Sequence, residues 1–295
     1  MGFKQKIKNL PWLYNVLLFF LNNTGYFNTR FHRAFPKYRV TPYWRARIDK
    51  VKQSPDNDRI THVADAGKVF PTYQLMHNGT KITLGSYYDY GNTHLLIENK
   101  GVHEPQEEFV FQQILPFIRE GGTMMELGSY WAFYSLWFAS SVRGGKCFMI
   151  EPDPHKMNFG KLNFRLNNLN GTFRLGFIDQ QTDTRRNIPF YDVDYLMRSF
   201  NIGFLDILHS DIQGYELRML KGAREALSKQ KVGYAFISTH SNDLHEQCIA
   251  ELKGHGYIII ADANLTESYA TDGVIVAKRP ATDGPESVAI TKAAV

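Results

Sequence analysis

The sequence predicts an α/β fold built around a doubly wound, largely parallel sheet. Beyond about residue 100, short apolar runs of strand length alternate with segments of helical spacing, the pattern of a parallel sheet covered by helices on both faces. The chain has 295 residues, 43% of them hydrophobic, so it can bury one large core and an appended segment. Cys147 and Cys248 lack metal-ligand spacing, and we interpret both as buried free thiols in a reducing compartment.

The predicted elements follow each other in a regular order. Residues 1–60 have the pattern of helices and loops, and residues 68–98 that of short strands with a hairpin turn at Asn78-Gly79. A helix is expected at 104–118. The alternation then predicts strands at 123–127, 147–150, 171–177, 205–209 and 234–239, followed by helices at 131–141, 154–167, 193–200, 215–227 and 244–254. Two last strands, 257–261 and 273–277, close the sheet as an antiparallel hairpin.

Charge and composition divide the chain into three regions. Residues 1–60 contain 12 Lys or Arg and 3 Asp or Glu, a net charge of +9, whereas the remaining residues, with 22 and 26, carry −4. We therefore expect residues 1–100 to form a basic helical extension plus the small hairpin, and residues 101–279 to form the α/β domain. Residues 280–295 are polar and small, and we expect a disordered tail.

The basic segment also suggests what it contacts. Aromatic residues such as Trp12, Tyr43 and Trp44 lie between its cationic ones, which suits an anionic surface or substrate. No nucleic acid is expected as a partner, since no recognition motif accompanies the charge. A pair of solvated basic helices packed on the domain is the alternative.

The apolar run from Leu10 to Leu21 follows three lysines and has the look of a signal peptide. No small-residue cleavage site follows it, and it is shorter than the ~20 residues that span a bilayer. We expect a cytoplasmic protein whose N-terminal helix touches a membrane surface, with a core helix as the alternative.

The segment from Met124 to Asp153 indicates a nucleoside site. A buried strand leads into a turn with Glu126 and Gly128, and the next strand ends on Glu151, about 20 residues later. Such a glycine lets the backbone approach a ligand, and such a carboxylate accepts hydrogen bonds from ribose hydroxyls. An ordinary βαβ crossover with a glycine turn is the alternative.

The composition of this turn favours S-adenosylmethionine over a dinucleotide. A pyrophosphate site needs G-x-G-x-x-G at a bare helix N-terminus, whereas this turn has one glycine, an acidic residue before it and two aromatics after it. A carboxylate beside the pocket repels a pyrophosphate but suits the cationic sulfonium and ammonium groups of the methyl donor.

Four stretches of the chain match one family: MMELGSYWAFYSL, MIEPDPHKMNFGKLNFRLNNL, FYDVDYLM and FLDILHSDIQGYELRMLKGAREAL. Together they resemble the FkbM-type S-adenosylmethionine-dependent O-methyltransferases, over roughly residues 104–277. The fourth stretch is the most specific, because the family has Asp-x-x-Gly followed by E-x-x-x-L-x-G-A, here Asp211 to Ala223. The resemblance implies a Rossmann-like class I methyltransferase sheet and a donor-binding domain over residues 101–279.

The first turn departs from the family pattern D-x-G-A-N-x-G. Its acidic residue and first glycine are present as Glu126 and Gly128, but the asparagine and second glycine are replaced in the run Ser129, Tyr130, Trp131. We therefore expect Tyr130 or Trp131 to pack over the donor differently from the residues that the family has at this turn. The family's Asp-x-Glu-Gly is also changed, to Asp211-Ile-Gln-Gly.

The predicted donor site combines the strand-end residues with those that match the family's motifs. Its members are Glu126, Gly128, Ser129, Tyr130, Glu151, Pro152, Asp179 and Asp211. We expect Glu151 to bind the ribose hydroxyls. Asp179 is expected to reach the adenine amino group, with a turn residue as the alternative.

Three residues near neighbouring strand ends are predicted to be catalytic: Asp211, His240 and His209. An alcohol releases its proton only near the pKa of water, ~15.7, so it needs a base, a metal, or both. A carboxylate and an imidazole on adjacent strands suit either role, and Asp211 and His240 are the candidate ligands for Mg²⁺ or Mn²⁺. Capping of the next helix is the alternative role for His240.

The sequence therefore predicts an enzyme that transfers a methyl group from S-adenosylmethionine to a hydroxyl of a sugar. The acceptor is a glycan, a glycolipid or a glycosylated natural product, and the transfer runs with or without a divalent metal. Two alternatives remain: a methyltransferase acting on nucleic acid or protein, and a donor-binding module that has lost its chemistry.

Overall fold

The computed structural model describes residues 17–18, 20–22 and 24–294. The predicted membrane-surface helix from Leu10 to Leu21 lies mostly outside these residues. Within them, no helix combines the length and apolar character needed to cross a membrane.

Within the described residues, seven strands form a central sheet and four short ones form two small sheets. The strands are β1 (Gln74–Leu75), β2 (Lys81–Ile82), β3 (Thr123–Leu127), β4 (Lys146–Glu151), β5 (Thr172–Leu175), β6 (Phe177–Ile178), β7 (Phe190–Tyr191), β8 (Leu205–Ser210), β9 (Val232–Thr239), β10 (Ile258–Ala263) and β11 (Gly273–Lys278). The central order is β10-β11-β9-β8-β3-β4-β5, and β11 runs antiparallel to both its neighbours. The predicted doubly wound α/β sheet is confirmed, as is the hairpin β1–β2 around Asn78-Gly79.

The strand order reverses at β3, which pairs in parallel with β4 on one side and β8 on the other. The chain runs outward from β3 through β4 to β5 and then returns to β8. A crevice therefore opens beyond the carboxyl ends of β3, β4 and β8, where doubly wound sheets bind their ligands.

Helices cover both faces of this sheet. They are α1 (Tyr26–Ala34), α2 (Pro42–Lys52), α3 (Asp89–Glu98), α4 (Pro105–Ile114), α5 (Phe133–Ser141), α6 (Pro154–Leu166), α7 (Val193–Ser199), α8 (Glu216–Gly222), α9 (Arg224–Ser228) and α10 (Asn242–Gly254), with 3₁₀ turns at Phe35–Lys37, Pro55–Arg59 and Leu115–Phe117.

Two elements differ from the prediction. Residues 89–98 form helix α3 instead of a strand, because Leu95 and Leu96 are both buried on its inner side. The single helix expected at 215–227 is divided into α8 and α9. The division follows from Asp194, whose carboxylate accepts hydrogen bonds of 2.8 Å from the N–H groups of Glu225 and Ala226 and so caps a new helix start.

The core forms one layer on each face of the sheet. Alternation along β3 sends Met124 to the layer with α4 and α5, and Met125 to the layer with α7–α10. Cys147 and Cys248 are buried free thiols, as predicted. Every residue of β3, β8 and β9 is buried, so the strand ends are held on a rigid support.

The C-terminal segment, expected to be disordered, lies along the domain over residues 280–294. Val288 is buried, and its N–H donates to the carbonyl oxygen of Ile260 at 2.7 Å, beside the edge strand β10. Thr291 donates through its N–H to buried Asp56 at 2.8 Å. These contacts could not be predicted from the polar composition of the segment. Pairing with an exposed strand edge uses backbone groups and needs few apolar side chains.

Candidate functional site

A cavity of about 480 Å³ lies at the carboxyl ends of β3, β4 and β8. We call it the strand-end cavity, and five of the predicted donor residues line it: Gly128, Tyr130, Glu151, Pro152 and Asp211. Ile178, Phe190 and Tyr215 add apolar surface on the far side. A concave, mainly apolar site with a few convergent polar groups is typical of a small-molecule pocket.

Gly128 brings the ends of β3 and β8 together. Its φ of 75° lies in the left-handed region, and a Cβ there would collide with the backbone carbonyl oxygen of Asp211. The N–H of Asp211 donates to the carbonyl oxygen of Leu127 at 3.0 Å across the same junction. Glycine at this position therefore fixes where Asp211 enters the cavity.

Glu151 is held by both loops that border the cavity. Its two carboxylate oxygens accept hydrogen bonds from the N–H groups of Tyr130 at 3.0 Å and of Asp153 at 2.8 Å. Burial raises the pKa of this carboxyl, while the two backbone donors oppose that rise. Each oxygen has a second lone pair, so the oriented carboxylate can still accept bonds from two adjacent hydroxyls.

Tyr130 lines the strand-end cavity. Its backbone is left-handed, with φ 41°, and the Lys156 ammonium lies 4.6 Å from the centre of its ring. The hydroxyl of Tyr130 accepts a hydrogen bond from the N–H of Tyr88 at 3.4 Å. Trp131 points elsewhere: it is buried and stacks on Tyr87 with ring centres 4.5 Å apart. Of the two aromatics considered, Tyr130 is the one that lines the cavity.

Three predicted donor residues do not line the strand-end cavity. Glu126 is buried and accepts a hydrogen bond of 2.9 Å from the N–H of Ser135, because the alternation of β3 turns its side chain toward α5. Ser129 is buried as well. Asp179 forms a two-point ion pair with Arg218, at 2.6 and 2.8 Å, in an adjacent cavity of about 430 Å³.

Asp211 and His240 come together, as predicted, with two further carboxylates. The Nε2 atom of His240 lies 3.3 Å from Asp211 Oδ1 and 3.5 Å from Asp272 Oδ1, and its Nδ1 atom lies 2.9 Å from Glu216 Oε1. We call these four residues the carboxylate–imidazole centre. Gln213 joins it, because its amide nitrogen lies 2.9 Å from Asp211 Oδ1 and 2.7 Å from His240 Nε2.

Glu216 holds the loop that carries Asp211. Its Oε1 accepts hydrogen bonds from the N–H groups of Ile212 at 3.3 Å and Gly214 at 3.1 Å, in addition to facing His240. The loop needs this support because Gln213 has a left-handed φ of 57°. Glu216 therefore positions the loop as well as favouring the start of α8.

Charges within the centre shift the pKa of its members in opposite directions. Burial lowers the pKa of His240, but hydrogen bonds to Asp211 and Glu216 outweigh it and raise the pKa to about 10. Burial raises the pKa of Asp211, but the hydrogen bond with His240 outweighs it and holds that pKa below the usual range. Burial and the charge of Asp211 raise the pKa of Asp272 to about 6. At neutral pH the centre thus pairs an imidazolium with carboxylates.

The centre does not fit a divalent metal well. Both ring nitrogens of His240 face carboxylates, and its raised pKa keeps the proton that a metal would have to displace. Among the described residues, no group of three or more His, Cys, Asp or Glu has the geometry to hold an ion.

His209 lies behind the strand-end cavity instead of lining it. Its Nε2 atom is 2.7 Å from Glu107 Oε1, and its ring centre is 4.2 Å from that of Tyr134. Burial lowers its pKa, but the charge of Glu107 outweighs burial and raises it. The other oxygen of Glu107 accepts a hydrogen bond from Ser238 at 3.1 Å. His209 thus belongs to a buried polar network between the sheet and α4.

Asp272 was missed by the sequence reasoning, although a signal was present. It directly precedes β11, whose first residue, Gly273, pairs with Thr239 at the carboxyl end of β9. Because β11 is antiparallel, its start lies at the edge where the parallel strands end. An acidic residue just before a closing antiparallel strand is therefore a site candidate.

Residues 172–259 match the family model described as the Methyltransferase FkbM domain. No curated protein sequence matches the chain significantly.

Several solved structures resemble the fold. Precorrin-6y C5,15-methyltransferase from Geobacter metallireducens is 15% identical, with 57% of this chain and 84% of that chain covered and a TM-score of 0.40. Fibrillarin from Aeropyrum pernix, solved with bound S-adenosyl-L-methionine, is 17% identical over 55% and 68%, with a TM-score of 0.40. TrmK from M. capricolum, solved with S-adenosyl-homocysteine, is 13% identical over 58% and 68%, also at 0.40. These likenesses are too distant to indicate a substrate. The family match to residues 172–259, which include Asp179, Asp211 and His240, confirms the resemblance predicted from the sequence: this part of the chain is similar to the FkbM methyltransferase domain.

Proposed function

We propose that the protein transfers a methyl group from S-adenosylmethionine to a hydroxyl of a sugar. The observation that carries this proposal is the strand-end cavity, in which Glu151 and Asp211 converge at the point where the strand order reverses. The donor, when bound, supplies a methyl group on a positively charged sulfur.

Glu151 binds the donor through its ribose. The carboxylate is oriented by two backbone N–H groups and accepts hydrogen bonds from the 2′- and 3′-hydroxyls. Ile178 and Phe190 supply apolar surface for the adenine ring.

Asp211 acts on the acceptor hydroxyl. Its carboxylate orients the hydroxyl oxygen in line with the carbon–sulfur bond and accepts the hydroxyl proton as the new carbon–oxygen bond forms and the carbon–sulfur bond breaks. The products are a methyl ether and S-adenosylhomocysteine. A weak base suffices, because the oxygen becomes strongly acidic as it acquires the methyl group.

His240 supports this role as a cation. At neutral pH it keeps its proton, so it stabilises the carboxylate form of Asp211 and does not itself act as the base. Glu216 holds the imidazolium from the other side at 2.9 Å.

The test is a transfer assay with methyl-labelled donor over neutral and acidic methyl glycosides, RNA and a protein mixture, with and without chelator. We expect the labelled methyl group to appear in a glycoside, and we expect this transfer to continue when chelator is present. Label confined to RNA or protein, or donor binding without transfer to any acceptor, would contradict the proposal.

A further inference from the structure

A second cavity, of about 400 Å³, adjoins the strand-end cavity. We call it the side cavity. Asp211 and Gln213 line both cavities, together with the aromatic pair Tyr87 and Tyr88. A molecule in the side cavity therefore lies next to Asp211 and next to a donor in the strand-end cavity, a proximity that methyl transfer between the two requires.

Helix α2 supplies the outer wall of the side cavity through Trp44 and Arg47. The Trp44 side chain packs against α3 at Gly91, where any Cβ would collide with the indole ring. The Arg47 guanidinium lies 5.3 Å from the centre of that ring and 6.0 Å from the centre of the Tyr88 ring. These contacts hold an aromatic surface and a cation beside the opening.

The polar groups of this cavity are arranged to bind hydroxyls. The Nε atom of Arg47 is buried, and within the described part of the chain it has no hydrogen-bond partner. Asp272 lines the same cavity from the loop before β11, and this loop is joined to α2 by the hydrogen bond from Lys50 Nζ to the carbonyl oxygen of Ala270 at 3.0 Å. A donor on one wall and an acceptor on the other match the two roles of a hydroxyl group.

The charge of the lining disfavours an acidic ligand. One cation, Arg47, faces two carboxylates, Asp211 and Asp272. Two other cations of α2, Arg45 and Lys52, both pair with Glu98, at 2.9 and 3.3 Å, whereas Lys50 donates to the carbonyl oxygen of Ala270 beside this cavity.

We infer that the side cavity is the acceptor subsite and that it takes the sugar as a neutral ring. One face of the ring lies against Trp44, and its hydroxyls bond to Arg47 and Asp272 while the reacting hydroxyl meets Asp211. This assignment rests on the proposed methyl transfer to a sugar. It narrows the acceptor to a sugar whose ring, where it binds in the side cavity, carries no carboxylate or phosphate.

Saturation-transfer NMR on the full chain, with S-adenosylhomocysteine present, tests the assignment. The probes are the neutral methyl glycosides of glucose, galactose and mannose, and methyl glucuronide as the acidic counterpart. We expect signal transfer to at least one neutral glycoside and a weaker signal for the glucuronide. Trp44→Ala should lower the neutral signal about fivefold by loss of the aromatic face, whereas Tyr26→Ala, an exposed aromatic of α1 outside both cavities, should not.

Separate readouts keep the possible failures apart. If S-adenosylhomocysteine itself does not bind, the proposed function fails. If it binds but no neutral glycoside gives a signal, the glucuronide matches the neutral sugars, or Trp44→Ala leaves the signal unchanged, the acceptor assignment fails alone. Asp272→Asn is the second variant, in case Trp44→Ala does not fold: it should raise KM for the glycoside more than it lowers kcat, and an unchanged KM would contradict the assignment.

Discussion

At the scale of single residues, the two strand-end carboxylates have different tasks because their surroundings differ. Backbone N–H groups surround Glu151, and they orient it for hydroxyls without a permanent ion pair. Asp211 instead faces the His240 imidazolium at 3.3 Å. The first arrangement suits binding and the second suits charge stabilisation during proton transfer.

Replacing Glu151 by Ala should weaken donor binding about tenfold or more, because it removes charge-assisted hydrogen bonds worth ~1.5–3 kcal/mol each. Titration calorimetry with S-adenosylhomocysteine measures the effect. Glu120→Ala is the matched control, because Glu120 is an exposed glutamate that pairs with Arg143 at 3.5 Å. An unchanged dissociation constant for Glu151→Ala would remove this residue from the donor site.

Gly128→Ala should destabilise the fold by about 2–4 kcal/mol, since it combines a left-handed φ with a collision against the Asp211 carbonyl. Gly203→Ala is the control, because a Cβ at Gly203 would meet nothing within 4 Å. Thermal unfolding of both variants measures the difference. Equal melting temperatures would mean that the junction of β3 and β8 is looser than described.

The raised pKa of His240 makes its contribution to stability depend on pH. The folded pKa, about 10, lies above the unfolded value of about 6.5, so the stabilising protonation is fully present below pH 6.5 and is lost as the pH rises through 10. We therefore expect the stability gap between wild type and His240→Gln to be large at pH 7 and to shrink by pH 10. A gap that stays constant between these values in denaturant titrations would contradict the ion-paired imidazolium.

At the scale of secondary-structure elements, the C-terminal segment acts as a strap across β10 and α4. Besides Val288 and Thr291, its backbone accepts a bond of 2.7 Å from the Gln106 amide at the start of α4. Val288→Ser should cost about 2 kcal/mol of unfolding free energy by removing buried methyl groups, whereas Ser287→Ala at the exposed neighbouring position should cost little. Equal unfolding free energies of the two variants in denaturant titrations would show that the C-terminal segment does not stabilise the fold.

Elements with a local signal could be predicted from the sequence, and those defined by distant contacts could not. The glycine turn after β3 and the acid ending β4 are visible in one stretch of chain, so Gly128 and Glu151 were found. Asp272 and Arg47 enter the site only because β11 pairs with β9 and because α2 packs beside Gly91. Such pairings join residues far apart in the chain: the place of Asp272 directly before the closing strand is a local signal, but the sequence around Arg47 carries none.

The same reasoning explains the residues that were misplaced. Because Glu126 and His209 lie near strand ends, the sequence predicts that they are close to the crevice. The alternation of side chains along a strand then decides which face of the sheet each side chain points to. Both face the layer of α4 and α5, where they bond to Ser135 and Glu107. Asp179 forms an ion pair with Arg218, which lies 39 positions further along the chain.

At the scale of the whole molecule, the N-terminal extension and the α/β domain each contribute one side of the site. The domain holds the strand-end cavity, and α2 forms the outer wall of the side cavity. Ile48 and Val51 of α2 are fully buried in the core, so this helix is an integral part of the fold. Exchanging its side chains is therefore a cleaner test of acceptor use than deleting it.

The central claim is that Asp211 takes the proton from a sugar hydroxyl at the junction of the two cavities. The most direct measurement compares wild type with Asp211→Asn, for both turnover of a neutral glycoside and affinity for S-adenosylhomocysteine. The account predicts that turnover falls about 10²–10⁴-fold, the usual contribution of a positioned base, while donor affinity stays within about threefold. Near-normal turnover of Asp211→Asn on a glycoside that the wild type methylates would contradict it.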